Sequence, residues 1–70
     1  MSDKIHITAN GKPYVIAAQA TLPEFLDTLG LAPERVVVER NREALTPAET
    51  LKATLANGDN LEIVRIVAGG

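Results

Sequence analysis

An α+β fold, a mixed β-sheet with one main helix packed on one face, is predicted by three features of the sequence. Segments of strand period open and close the chain, Asn10-Gly11 folds the first two segments into a hairpin, and a fully punctuated apolar stripe between residues 21 and 31 marks a helix. At 70 residues the chain is one domain, residues 1–70, with 68–70 expected as a flexible tail.

Ile5, Ile7 and Ala9 alternate with Lys4, His6 and Thr8, the period of a half-buried strand. Asn10-Gly11 is a strong hairpin signal because both residues tolerate positive φ. The return strand runs from Pro13 to Ala17, with Tyr14, Val15 and Ile16 as strand formers and Pro13 confined to its beginning.

The helix is predicted over Leu22 to Leu29. Thr21 caps it, and Glu24 three residues later closes a capping box. Leu22, Phe25, Leu26 and Leu29 fall on one face. Pro23 sits in the first turn, where its missing N–H has no helical partner. Gly30 supplies the left-handed residue past the end, and Leu31 the apolar contact that accompanies it.

Val36-Val37-Val38 is a β-branched run and reads as a third strand, ended by Glu39-Arg40-Asn41. Thr46-Pro47-Ala48-Glu49 repeats the helix-start signal, and Leu51 and Leu55 are expected to bury one face of a short helix or turn. Asn57-Gly58-Asp59 breaks it. Leu61 to Val67 is predicted as the last strand, followed by Ala68-Gly69-Gly70. A crossover helix between the hairpin and the later strands requires a mixed sheet, with first and last strands parallel neighbours. This is the ubiquitin-like β-grasp arrangement.

Composition narrows the function. Seven Lys and Arg against nine Asp and Glu give a net charge of −2, and the cations are scattered, so no basic face is available for nucleic acid. The absence of cysteine removes thiol nucleophiles, persulfide carriage, disulfides and thiolate metal sites, and fits a reducing cytoplasm. No apolar run reaches the roughly 20 residues that span a bilayer, and the start Met1-Ser2-Asp3-Lys4 is not followed by an export signal. His6, without a second ligand near it in sequence, reads as a solvent-facing residue. Glu39, Glu43 and Glu49 lack the spacing of a cation site, and Tyr14 and Phe25 read as packing residues. There is no Gly-rich phosphate loop, so ATP is not expected to bind this chain.

These elements, in this order, resemble the ThiS sulfur carriers of thiamin (thiazole) biosynthesis. The likeness covers Ile5 to Gly70 and rests on five segments. They are the Asn10-Gly11 hairpin, Leu26-Asp27-Thr28-Leu29-Gly30-Leu31, Val36-Val37-Val38-Glu39-Arg40-Asn41, Gly58-Asp59-Asn60-Leu61-Glu62-Ile63-Val64 and Val67-Ala68-Gly69-Gly70. It departs after Pro47, where the family often has an Arg and an aromatic and this chain has Ala48 and Leu51.

The resemblance implies a non-catalytic carrier whose working group is the terminal carboxylate of Gly70. Gly69 and Ala68 would form the thin end that threads into a partner, since glycine leaves the backbone unobstructed. A ThiF-like adenylyltransferase would use ATP and magnesium to adenylate Gly70. Sulfur from a cysteine desulfurase, carried as a persulfide, would convert it to a thiocarboxylate, and a ThiG-like thiazole synthase would receive the sulfur. The same fold and tail chemistry would also suit the small subunit of molybdopterin synthase, or a ubiquitin-like protein modifier; a passive interaction domain would not use the tail. If Leu61 and Ile63 face the helix, alternation turns Val64 and Ile66 outward, with Val37 beside them. Val37, Val64 and Ile66 either form an apolar docking patch leading toward the tail, or are covered by loops or chain pairing, or are ordinary scattered exposed apolar groups.

Overall fold

Two capped helices and five strands build one mixed sheet in the computed structural model, which describes residues 3–67. Strands β1 (Lys4–Ala9) and β2 (Lys12–Ala17) form the antiparallel hairpin. They are followed by α1 (Leu22–Thr28), a 3-10 turn (Pro33–Arg35), β3 (Val36–Arg40), β4 (Glu43–Ala44), α2 (Pro47–Lys52) and β5 (Asn60–Arg65). The sheet order is β2-β1-β5-β3-β4, with β1 and β5 parallel and β5 and β3 antiparallel. The predicted α+β β-grasp arrangement is thus observed. Among the described residues no helix is long and apolar enough to cross a membrane.

The turn residues do what their chemistry requires. Asn10 and Gly11 take φ of 51° and 80°, the left-handed pair that lets β1 reverse into β2. At the end of α1, Gly30 takes φ of 74°. The Gly30 N–H then donates to the Asp27 carbonyl and the Leu31 N–H to the Leu26 carbonyl, the paired bonds that close a helix through a left-handed glycine. Thr21 and Glu24 form the reciprocal capping box at its start, at 3.2 and 2.8 Å. Thr46 and Glu49 repeat it at the start of α2.

The core lies between α1 and the inner face of the sheet. Leu22, Phe25 and Leu26 from the helix meet Ile7, Ala9, Val36, Val38, Leu61 and Ile63 from the strands, with Leu55 from the segment after α2. Leu22, Leu26, Leu61 and Val38 are fully buried, and each contributes about 1.5–3 kcal/mol through the hydrophobic effect. Tyr14 packs edge-on against Phe25, ring centroids 5.1 Å apart.

Three expectations change. Leu51 is not buried: it is 61% exposed, and Thr50 is the residue of α2 that enters the core, at 3%. The Thr50 hydroxyl donates to the Thr46 carbonyl, so its one polar group is satisfied within the helix and burial costs little. The last strand ends at Arg65 instead of Val67, because Ile66 is held only from the β3 side, by its N–H to the Arg35 carbonyl. The two-residue strand β4 and the Pro33–Arg35 turn carry no sequence period and were not anticipated.

Candidate functional site

The strand that leads to the expected working end, β5, is fixed at its start by a polar knot around the buried Asp59. The Asp59 carboxylate accepts hydrogen bonds from the Ala56 N–H (2.8 Å) and Asn41 Nδ2 (3.1 Å), and pairs with Arg40 at 2.8 Å. The same Arg40 nitrogen donates to the Thr54 carbonyl. Asn41 exchanges bonds with Asn60, its N–H donating to the Asn60 carbonyl and its Oδ1 accepting from the Asn60 N–H. Burial alone would raise the Asp59 carboxyl. The hydrogen bonds from Ala56, Asn41 and Arg40 and the Arg40 charge outweigh it and hold the group below the usual carboxylate range.

Farther along, Asn10 fastens β5 from the other side. Strand β1 stops at Ala9 because the chain turns at Asn10, yet the ladder continues for one more step through a side chain. Asn10 Oδ1 accepts from the Ile63 N–H at 2.7 Å, and Asn10 Nδ2 donates to the Ile63 carbonyl at 3.1 Å. The amide replaces the peptide group that a longer β1 would have presented.

Beyond this clamp the expected docking residues lie on the outer face. Val37 and Val64 are direct cross-strand partners. Ile66 follows two residues later on the same face as Val64, its N–H bonded to Arg35. Val37, Val64 and Ile66 are 46%, 62% and 53% exposed, so the structure brings together the three residues that alternation singled out. A hollow of about 180 Å³ joins Val37 and Ile66 to Leu45 and Pro47. A second hollow, of about 230 Å³, shares Pro33, Glu34 and Pro47 with the first and ends on Leu51. The apolar surface is therefore wider than sequence reasoning found. Leu51 was missed because a leucine four residues before another leucine reads as core, and only the register of the short helix α2 shows that it faces out.

His6 is exposed on the outer face; its peptide is bracketed by Asn57 Oδ1 and the Gly58 N–H. No group of three or more metal-ligating side chains occurs among the described residues. Ala68, Gly69 and Gly70, expected to carry the chemistry, lie outside the described residues.

Residues 6–70 match the ThiS family. The chain is 39% identical over 67 residues to a thiazole synthase of Magnetococcus marinus, the match covering 96% of this chain. It spans about a fifth of the length of the thiazole synthases it matches. Among solved structures it is similar to a thiamine biosynthesis protein (ThiS) of Geobacter metallireducens, with a TM-score of 0.76, 33% identity and coverage of 94% of this chain and 100% of that one. It is also similar to a computationally designed protein based on human erythrocytic ubiquitin, with a TM-score of 0.56, 25% identity and coverage of 99% and 98%.

Proposed function

The chain belongs to the ThiS family, and on that premise we propose that it is a sulfur carrier for thiazole formation in thiamin biosynthesis, a substrate of other enzymes and not itself a catalyst. The observation that carries this reading is the extent of the family match, which runs from His6 through Gly70 and so takes in the diglycine.

The chemistry follows from what a carboxylate lacks. Terminal carboxyl groups ordinarily titrate at about 3.3–3.7, so at neutral pH the group is ionised and is a poor electrophile. Adenylation of Gly70 by a ThiF-like enzyme, using ATP and magnesium bound to that enzyme, converts it to an acyl phosphate anhydride with AMP as a good leaving group. The outer sulfur of a persulfide supplied through a cysteine desulfurase attacks the acyl carbon and displaces AMP. A second thiol of the partner enzymes then cleaves the resulting sulfur–sulfur bond, which leaves the thiocarboxylate on Gly70 and a disulfide on the partner. A ThiG-like thiazole synthase then takes the sulfur, and Gly70 returns as the plain carboxylate. None of these steps needs a thiol in the carrier. The match to a segment of a thiazole synthase supports that enzyme as the sulfur acceptor, and the reactions belong in the cytoplasm, where persulfide carriers stay reduced.

In this scheme Ala68 and Gly69 thread into the partner, and the patch of Val37, Val64 and Ile66 docks the carrier beside the partner's active site. The deciding experiment is mass spectrometry after incubation with ATP, a ThiF-like enzyme and a sulfur donor. Replacement of one oxygen by sulfur at Gly70 is expected, and deletion of Gly70 should abolish it with the unfolding midpoint nearly unchanged. Isopeptide adducts to lysine, or an unaltered mass for the intact chain, would contradict the proposal.

A further inference from the structure

We propose that the β1-side edge of β5 at Arg65 is a strand-docking site, which an extended, acid-bearing segment of the adenylating enzyme completes as a further β-strand. This deepens the carrier reading given above and rests on it.

The argument begins with hydrogen-bond direction. In β5 the even-numbered residues turn their peptide groups toward β3: the Asn60 carbonyl accepts from Asn41, and the Ile66 N–H donates to Arg35. The odd-numbered residues turn toward β1, where the Leu61 carbonyl accepts from the Asn10 N–H and Ile63 is satisfied by the Asn10 side chain. Arg65 is the next odd residue. Its Cα partner on β3 is Val36, but its N–H and carbonyl point away from β3, toward the side where β1 has already turned back. Neither group has a partner among the described residues. The Asn10 clamp thus completes the ladder at Ile63 and leaves one open step in a strand otherwise paired on both sides.

That open step lies in a groove. A concavity of about 530 Å³ runs between the hairpin tip, the end of α1 and β5, and is lined by Tyr14, Leu29, Leu31 and Ile63 with Lys12 and Arg65 at its rim. Two observations select the occupant. First, the groove lining contains two cations and no carboxylate, in a chain whose net charge is −2, and neither cation makes an ion pair with a described residue. An apolar strand carrying an acidic residue complements it, and main-chain bonds to an exposed edge are a recurring mode of peptide recognition. Second, Gly70 lies five residues beyond Arg65, at most about 18 Å of extended chain. An enzyme that holds Gly70 in its active site is brought within reach of this edge. A second copy of the chain has no such requirement to sit there.

The test compares Arg65→Pro with Arg65→Ala in ATP–pyrophosphate exchange catalysed by a ThiF-like enzyme. Both remove the charge, but only proline removes the N–H, which the fold itself does not use. The KM for the carrier is expected to rise at least fivefold more for the proline variant, with kcat unchanged. Because proline can also disturb the strand, amide hydrogen exchange of the unmodified chain provides the second measurement. The Arg65 amide should exchange freely alone and at least tenfold more slowly with the enzyme present without ATP. Adenylation of the unmodified chain with an unprotected Arg65 amide would overturn the docking site and leave the carrier reading standing. Failure of the unmodified chain to be adenylated would end both. Protection that rises with carrier concentration and without enzyme would assign the edge to a second copy, against the proposal.

Discussion

Replacing Val64 with lysine tests the outer patch where the fold itself tolerates change. Val64 is 62% exposed and contacts its cross-strand partner Val37 on the solvent side of the sheet. Glu62 and Glu39 stand on the same face, two residues away along and across the strands, so the new cation meets carboxylates and the folding cost stays within about 0.5 kcal/mol. Docking is different. Full burial of a valine side chain yields about 1.5–3 kcal/mol, so the part still exposed can contribute roughly 1–2 kcal/mol when a partner covers it. At about 1.4 kcal/mol per tenfold, that loss is about 5- to 30-fold in affinity, and the desolvation of an unpaired ammonium adds to it. The matched control is Val15→Lys: Val15 is 59% exposed on β2, outside the patch. In ATP–pyrophosphate exchange with a ThiF-like enzyme, the Val64 variant should show a KM at least about tenfold above that of the Val15 variant, at equal kcat and with similar melting temperatures. Equal KM values for the two would refute the reasoning.

Three further outcomes follow from the same geometry. Asp59→Asn should lower stability by about 2–3 kcal/mol, since bonds to a charged acceptor are lost, or on the order of 10–20 °C in melting temperature for a domain of this size. Because the Asp59 carboxyl is held below its ordinary value of 3.8 in the fold, its stabilisation is complete above that value and disappears as pH falls below it toward the folded-state pKa. Acid titration of the melting temperature should therefore be flatter for the Asn variant, and parallel curves would contradict the assignment. Asn10→Gly should cost about 2 kcal/mol through the two lost bonds to Ile63. Asn10→Ala should cost about 1 kcal/mol more because φ at this position is 51°; an alanine variant as stable as the glycine variant would remove the backbone part of the argument. Gly30→Ala should cost about 1 kcal/mol from φ of 74° alone, as nothing beyond its own chain neighbours lies within 4 Å of the added methyl, and a melting temperature unchanged within experimental error would be inconsistent with it.

Much of the fold was legible because local chemistry and global packing agree. Thr21, Glu24, Gly30 and Leu31 name both ends of α1, and alternation placed Val64 and Ile66 opposite Leu61 and Ile63. What escaped the sequence has a common cause: it depends on partners far along the chain or on helix register. Asn10 was legible as a turn residue, while its bonds to Ile63 span 53 positions. Asp59 reads as part of a breaker, yet its partners Arg40 and Asn41 belong to another strand and the turn that follows it. Hydrophobicity pointed Leu51 inward, but the Thr50 hydroxyl satisfies itself on the helix backbone and takes the core position. The motif residues that carry the family resemblance in the middle of the chain are, on this geometry, structural: Arg40, Asn41, Asp59 and Asn60 bind one another.

On the carrier reading proposed above, that distribution of roles explains how the fold would serve chemistry carried out by a partner. A partner enzyme that must meet a single terminal carboxylate gains little if the strand leading to it wanders, because each free residue adds ordering entropy to the encounter. In this chain the knot at Asp59 fixes where β5 begins, the Asn10 amide fixes it at Ile63, and the Arg35 carbonyl holds Ile66. Support on the β1 side then stops at Ile63, two residues before the strand ends. On that reading, the four residues from Ile66 to Gly70 span at most about 14 Å of extended chain, so the stretch between the last anchored residue and the carboxylate would be short. What a partner can grip is already held in place by the sheet. Anchorage that runs up to Ile66, four residues before Gly70, would under the proposed carrier role let recognition by the sheet be separated from chemistry at Gly70.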